Sequence, residues 1–369
     1  LTREIKIGLI AAPELPTSYA RGFAGELPKL FAEEIDENVS WNVDMRVDPI
    51  TGSAESTDDI LEEAADLRKQ HDWDYAICLT DLPIFLEKHI VVSDISNKHG
   101  VAQISIPAFG WLVRRWKVRT AVVKIMNELY RPTDEKDERC HSAKQPLEKQ
   151  LPLTRVKRSA LDNGIKEADK RYIVTPQMNG RIRLLLGMAQ ANRPWSIMSS
   201  FRKIIAVAFT TGTFGTIFST IWTLSHVMSD LRLIILTVAA ISLMVIWLIV
   251  AHNLWEMPAN GRERSLRHLY NQTTLLTLLL SVISYYIVMF LLFFILVVTL
   301  VPPEAFVELA NLQESFSIIH YVQLAWILAS MTTVTGAIGA SMEDEEKVRD
   351  ITYGYRQKRR YEDSVSDDA

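Results

Sequence analysis

Residues 275–301 read LLTLLLSVISYYIVMFLLFFILVVTLV, a run without a single Asp, Glu, Lys or Arg. A helix rises about 1.5 Å per residue, so this run is longer than the roughly 30 Å of a bilayer's hydrocarbon core and has to tilt or protrude. Working outward from it, Ile204 to Leu224, Leu233 to Val250 and Ile318 to Ala340 are equally free of formal charge. The pattern predicts four membrane-spanning helices, bounded at 204–226, 232–251, 274–301 and 317–341.

The flanks orient these spans. Arg193, Arg202 and Lys203 precede the first, Arg262, Arg264 and Arg267 separate the second from the third, and Lys347 to Arg360 follow the fourth. The two remaining loops, HVMSD and PPEAFVELANLQES, hold no Lys or Arg. Positive charge stays on the cytoplasmic side, so both termini are expected in the cytoplasm, at a bacterial plasma membrane.

The overall hydrophobic share of 48% hides a split, because residues before 195 read as an ordinary soluble sequence. Cys78 lies in an apolar run and Cys140 in a charged one, which gives neither a disulfide framework nor a metal spacing. A net charge of -4 supplies no reason to expect nucleic acid as a partner. No secretory signal is read ahead of the strand-like IKIGLIAAP, and a short leader before Leu1 is left open.

The soluble half alternates strand and helix. Ile5 to Ala12, Val39 to Val47 and Tyr75 to Leu79 read as strands, Ser18 to Ile35 and the segment after Thr57 as helices. That order predicts an α/β domain with a mostly parallel sheet. The segments HIVVSDIS and VAQISIPAF, joined by NKHG, are expected as a hairpin along one edge. A basic helix follows from about Leu112 to Tyr130, then a polar, mobile loop at 132–150. RYIVTP is expected as a last strand, and NGRIRLLLGMAQANRPW as an amphipathic helix that brings Arg193 and Trp195 to the headgroup layer. The resulting division is 1–131, 132–150, 151–200, 201–342 and a charged helix and tail at 343–369.

Three segments, TPQMNGRIRLLLGMAQANRPW, ISIPAFG and GAIGASMEDEEKVRDITYGYRQKRR, resemble a group of actinobacterial-type membrane proteins that pair a cytoplasmic α/β domain with four transmembrane helices. That resemblance implies the architecture but no activity. Residues 5–130 also look like an archaemetzincin-type metalloprotease domain in their order of elements and in TDLP after the third strand. Such enzymes carry two His one helical turn apart with a Glu beside the first, whereas the corresponding helix here reads VVKIMNELY. The resemblance therefore implies a domain without that zinc site.

No glycine-rich phosphate loop follows a strand, and the eight His are scattered, so no cofactor and no metal is expected. Ligands of parallel α/β sheets sit beyond the carboxyl ends of the strands, which here gather Pro13 to Ser18, Asp48 to Thr51 and Thr80 to Pro83. Pro13, Thr17, Thr80 and Asp81 are the candidate contacts for a small polar ligand. The competing reading makes TDLP a turn in which Asp81 bonds its own backbone. The basic helix, with Arg155, Lys157 and Arg158, offers a surface for anionic lipid headgroups, or else a solvated face.

Within the spans, Thr210, Thr213, Thr216, Thr220 and Thr223 recur every three or four residues as one stripe, beside a ridge of Thr211, Gly215 and Ser219. Thr332, Gly336 and Ala340 are spaced by four, as are Ala329, Thr333 and Ala337. Residues of this size allow close helix packing. TTVTG at 332–336 has the letters of a potassium-channel filter, but it continues an apolar helix, so it is read as a packing face. Coupled transport is disfavoured because no ionisable group lies at mid-span, His226 and His320 being near the ends.

Together these features predict a homo-oligomeric integral membrane protein, not catalytic, whose cytoplasmic domain binds a ligand or partner and acts on a transmembrane anchor. A passive facilitator lined by the threonine stripe and a membrane-tethered hydrolase are the alternatives.

Overall fold

The computed structural model describes residues 3–49, 57–86, 89–111, 113–131, 155–159, 170–175, 177–192, 194, 201–256, 263–312, 315–340 and 355. The expected loop at 132–150, the pair Arg193 and Trp195, and all of the charged helix after 343 except Tyr355 lie outside them. The chain divides into two compact units, Leu1–Ala191 with Gln357–Ala369, and Asn192–Arg356.

In the first unit β1 (Arg3–Ala11), β2 (Val39–Val47), β3 (Tyr75–Thr80), β4 (Phe85–Leu86), β5 (His89–Ser96), β6 (Val101–Ser105), β7 (Arg155–Ser159) and β8 (Lys170–Thr175) form one sheet. Its order is β2-β1-β3-β6-β5-β8-β7, with β4 paired to β5. Pairing is parallel from β2 to β6 and antiparallel from there on, so the sheet is mixed. The β5–β6 hairpin is not at an edge. β6 lies beside β3, and β8 returns antiparallel to take the other side of β5, which puts the hairpin in the middle. Its residues fit that place, since both strands are buried almost throughout, as strands covered on both faces must be. β2 is an edge strand, with Trp41 buried and Val47 45% exposed.

The helix expected over 18–35 is two, α1 (Leu15–Phe23) and α2 (Leu27–Glu34), joined by a 3-10 turn at Ala24–Glu26. Pro28 lacks the N–H that would continue the first helix, yet suits the first turn of the second. Tyr19, Phe23, Leu27 and Phe31 still share a buried side across the break. α3 (Thr57–Gln70) lays Ile60, Leu61 and Ala64 on one face of the sheet, against Ile10, Ala76 and Cys78. α4 (Arg115–Tyr130) covers the other face, where its Glu128 accepts the Tyr172 hydroxyl. α5 (Gln177–Ala191) packs on the 3-10 turn Ile106–Phe109 that ends β6.

The second unit is helical: α6 (Arg202–Gly215), α7 (Ser219–Val227), α8 (Asp230–Ala251), α9 (Glu263–Leu300), α10 (Pro303–Leu309) and α11 (Ile318–Ala340). Three of these, α8, α9 and α11, are long and apolar enough to cross a membrane. The first expected span is not one continuous helix, because α6 and α7 meet at 92°. At the corner, N–H groups of Thr216, Ile217 and Phe218 bond back three residues instead of four, and Phe218 turns extended. Trp222 Nε1 donates to the Thr216 carbonyl at 2.8 Å, so that carbonyl, freed at the break, is satisfied. α9 begins upstream of the expected span, carrying Arg264 and Arg267 within the helix.

Candidate functional site

The parallel half of the sheet ends on one side in a set of short polar side chains. β1 and β3 are neighbours with Ala11 opposite Leu79, and β3 and β6 with Thr80 opposite Ser105, so the residues after all three strands emerge together. Just past β1 the chain turns into α1, and Thr17 ties that turn back, its Oγ1 donating to the Ala12 carbonyl at 2.8 Å. Pro13 lies in the same turn, half-buried. After β3, Thr80 Oγ1 accepts the Leu82 N–H at 3.1 Å, and the Ser105 hydroxyl donates to the Leu82 carbonyl at 2.7 Å.

Thr17, Thr80, Asp81 and Ser105 are all buried. TDLP is thus a turn held partly by a side chain, with Thr80 as the residue seen bonding its backbone. Of the Asp48 to Thr51 group only Asp48 and Pro49 are described, and the Asp48 N–H donates to Ala11 carbonyl at 3.1 Å. Ser105 was not singled out in the sequence. Its signal was a strand ending in a hydroxyl residue at the same level as Thr80, visible only once β6 is known to lie beside β3.

A second polar group crosses the sheet under the α3 face. Cys78, Gln103, Asp94 and Arg171 are successive cross-strand partners on β3, β6, β5 and β8, so their side chains line one row. Gln103 Nε2 donates to Asp94 Oδ2 at 2.8 Å, and Arg171 meets both carboxylate oxygens, Nη2 to Oδ2 at 3.0 Å. Arg171 Nη1 and Gln103 Oε1 are buried without a partner among the described residues. Asp94 and Gln103 are polar letters inside the largely apolar strands HIVVSDIS and VAQIS, which is the trace such a row leaves in a sequence.

In the helical unit the small residues receive rings. A Cβ on Gly212 would stand 2.2 Å from Phe293 and 2.4 Å from the Thr332 methyl, and one on Gly336 would stand 2.5 Å from the Tyr285 hydroxyl. Ala340 ends α11. The five threonines do not lie along one helix: Thr210 and Thr213 are on α6, Thr216 at the corner, Thr220 and Thr223 on α7. Thr210, Thr213 and Thr223 donate to the carbonyl one turn back, and Thr216 to that of Thr213. Nearer the centre, Tyr286, Thr237 and Ser330 share hydroxyl bonds at 2.8 to 3.4 Å, and Trp326 Nε1 donates to Thr237 at 2.6 Å. This network joins α8, α9 and α11.

Among the described residues no three His, Cys, Asp or Glu come together as metal ligands. Compared with known proteins, the chain matches no family model, no curated protein and no solved structure.

Proposed function

We propose that this chain is an integral membrane protein whose N-terminal α/β unit binds a small polar ligand at the carboxyl ends of β1, β3 and β6 and passes that binding to the apolar helices. The reading rests on one observation: Thr17, Thr80, Asp81 and Ser105 collect at neighbouring strand ends, in a chain that also carries helices of membrane length. In this reading the bent pair α6 and α7 serves as the first of four spans and both termini face the cytoplasm, as the distribution of Lys and Arg favours.

The test is a thermal-shift screen of the purified full chain in detergent against small polar metabolites. A ligand at a hundred times its Kd stabilises by about 2.7 kcal/mol, a readily measured shift. The shift should vanish in Asp81→Asn while the unliganded melting temperature stays near wild type. A screen in which no compound shifts the wild-type chain, or a shift untouched by Asp81→Asn, overturns the reading.

A passive facilitator is the second reading, favoured by the outward exposure of Thr210 and Thr220 on α6 and α7, where a second copy of the chain would meet them. Solute flux through reconstituted vesicles that falls on Thr213→Val would support it. Absence of flux would count against it.

A further inference from the structure

The first turn of α4 collects cations where a helix is least suited to them. Arg114 stands at the N-cap with Arg115 and Lys117 in the turn that follows, and that turn has no acidic residue and no side-chain cap. The Lys117 N–H bonds back to the Arg114 carbonyl at 2.9 Å, which leaves the Arg115 and Trp116 N–H groups as the ones without an acceptor in the helix, and the dipole makes this end positive, so a bound anion is favoured there. Among the described residues no carboxylate pairs with Arg114, Arg115 or Lys117, whereas Arg119, one turn on, pairs with Glu26. Burial, and then the charges of Arg183 and Arg114, hold the Lys117 ammonium below its usual range. Arg183 belongs to α5, which reaches this turn through its Nε bond to the Phe109 carbonyl and through Gln190, whose Oε1 accepts the Val113 N–H.

Beside the charges stand large apolar side chains in water. Trp116 is 45% exposed, with the Lys117 ammonium 5.8 Å from its ring, and Ile182, next to Arg183, is 56% exposed. An indole among unpaired cations is the composition of a membrane-interface surface, where the ring enters the headgroup layer and the cations meet phosphates. Along the chain α5 ends at Ala191 and the apolar helix α6 starts at Arg202, so in the membrane reading the surface belongs to the segment that leads into the first span.

We infer that the first turn of α4, with Trp116 at its centre and the adjoining face of α5, docks on anionic lipid headgroups of the membrane that the same chain enters. This rests on the membrane reading given above. It differs from a general basic helix face in naming the N-terminal turn, and in leaving out the later cations Arg119 and Lys124, which have acidic neighbours in Glu26 and Glu34.

The experiment is hydrogen–deuterium exchange on the full chain in nanodiscs of phosphatidylcholine alone and of phosphatidylcholine with phosphatidylglycerol. Amides of residues 113–120 should exchange about fivefold more slowly in the anionic discs for each well-placed cation. Molar salt should abolish the difference, since screening then acts within about 3 Å. The variant Arg114→Glu with Arg115→Glu should also abolish it, and it keeps the fold because acids are favoured at a helix N-terminus. Equal exchange in the two discs overturns the inference, as does protection that survives the variant. Inorganic phosphate reproducing the protection in neutral discs also overturns it, in favour of a soluble anion. A chain that fails to enter discs at all refutes the membrane reading first, and is recognised before any exchange is measured.

Discussion

Arg171 lies across the sheet from Asp94, seventy-seven positions away in the chain, and the two form a bidentate ion pair at 1% and 0% exposure. Such a pair is strong in geometry yet weak as net stabilisation, because both charges leave water to make it. Its larger effect is on specificity. β8 can settle beside β5 in one register only, since a slip by one residue would turn Arg171 to the α4 face and leave Asp94 buried and unpaired.

Removing one partner should therefore be far worse than removing both. Asp94→Ala is expected to cost about 3–5 kcal/mol, and Asp94→Leu with Arg171→Met to recover most of that. Chemical denaturation of the detergent-purified chain, followed by tryptophan fluorescence, measures the two variants. Equal losses would mean that the pair acts only through packing.

Gly336 and Tyr285 should be coupled in the helical unit. Gly336→Ala puts a methyl 2.5 Å from the Tyr285 hydroxyl and should cost about 1–3 kcal/mol. Tyr285→Phe removes a buried hydroxyl that has no partner among the described residues, so alone it should be neutral or stabilising, and it should relieve the Gly336→Ala variant. Heating in detergent and measuring the fraction left in the native size-exclusion peak gives the four corners of the cycle. Additive effects would show that the notch yields elsewhere.

The corner between α6 and α7 has two topological outcomes. If the bent pair spans the membrane and the N-terminal unit is cytoplasmic, cysteines placed at Ser229 and Asn311 react with an impermeant maleimide from outside intact cells, and one at Asn253 does not. If it is a re-entrant loop, the pattern inverts. Cys140 is replaced for this measurement, and Cys78 is buried in the sheet.

Acid should loosen the turn after α2 in a defined way. The Asp36 carboxylate accepts the Asn38 N–H at 3.0 Å and the Tyr130 hydroxyl at 3.0 Å, which hold it below its usual 3.8. A depressed carboxylate stabilises above its unfolded value, and that contribution is lost as pH falls from 3.8 through the lower folded value. Protection of the Asn38 amide, taken relative to its intrinsic exchange rate at each pH, should fall across that window in the wild type and show no such step in Asp36→Asn.

Much of the first unit was legible because β1, β2 and β3 announce themselves locally, through apolar runs bounded by polar turns. The hairpin was legible as a hairpin, but its central place was not. That depends on which strand takes the free edge of β5, and the deciding contact joins residues 94 and 171. The carboxyl-end candidates followed from the parallel order, which is why Thr17, Thr80 and Asp81 could be named and Ser105 could not. In the second half, hydropathy shows where apolar helices lie and is blind to a 92° corner that keeps its own backbone bonded. Gly336 could be read as a notch, although Tyr285 as the residue that enters it needed the fold; Gly212, which receives Phe293, was not singled out, and Gly215, which was, meets only ordinary contacts.

Because β8 fills the edge of the hairpin, this sheet is finished late in synthesis. While residues 97–169 are being made, β5 has no neighbour on that side, a row of open peptide groups ready to capture any extended chain. The strand that caps it is followed almost at once by α5 and the apolar helix α6, so the first unit is completed just before the first apolar helix is made. A soluble fragment for crystallisation accordingly has to run through Ala191; one cut before Lys170 would expose that seam and aggregate.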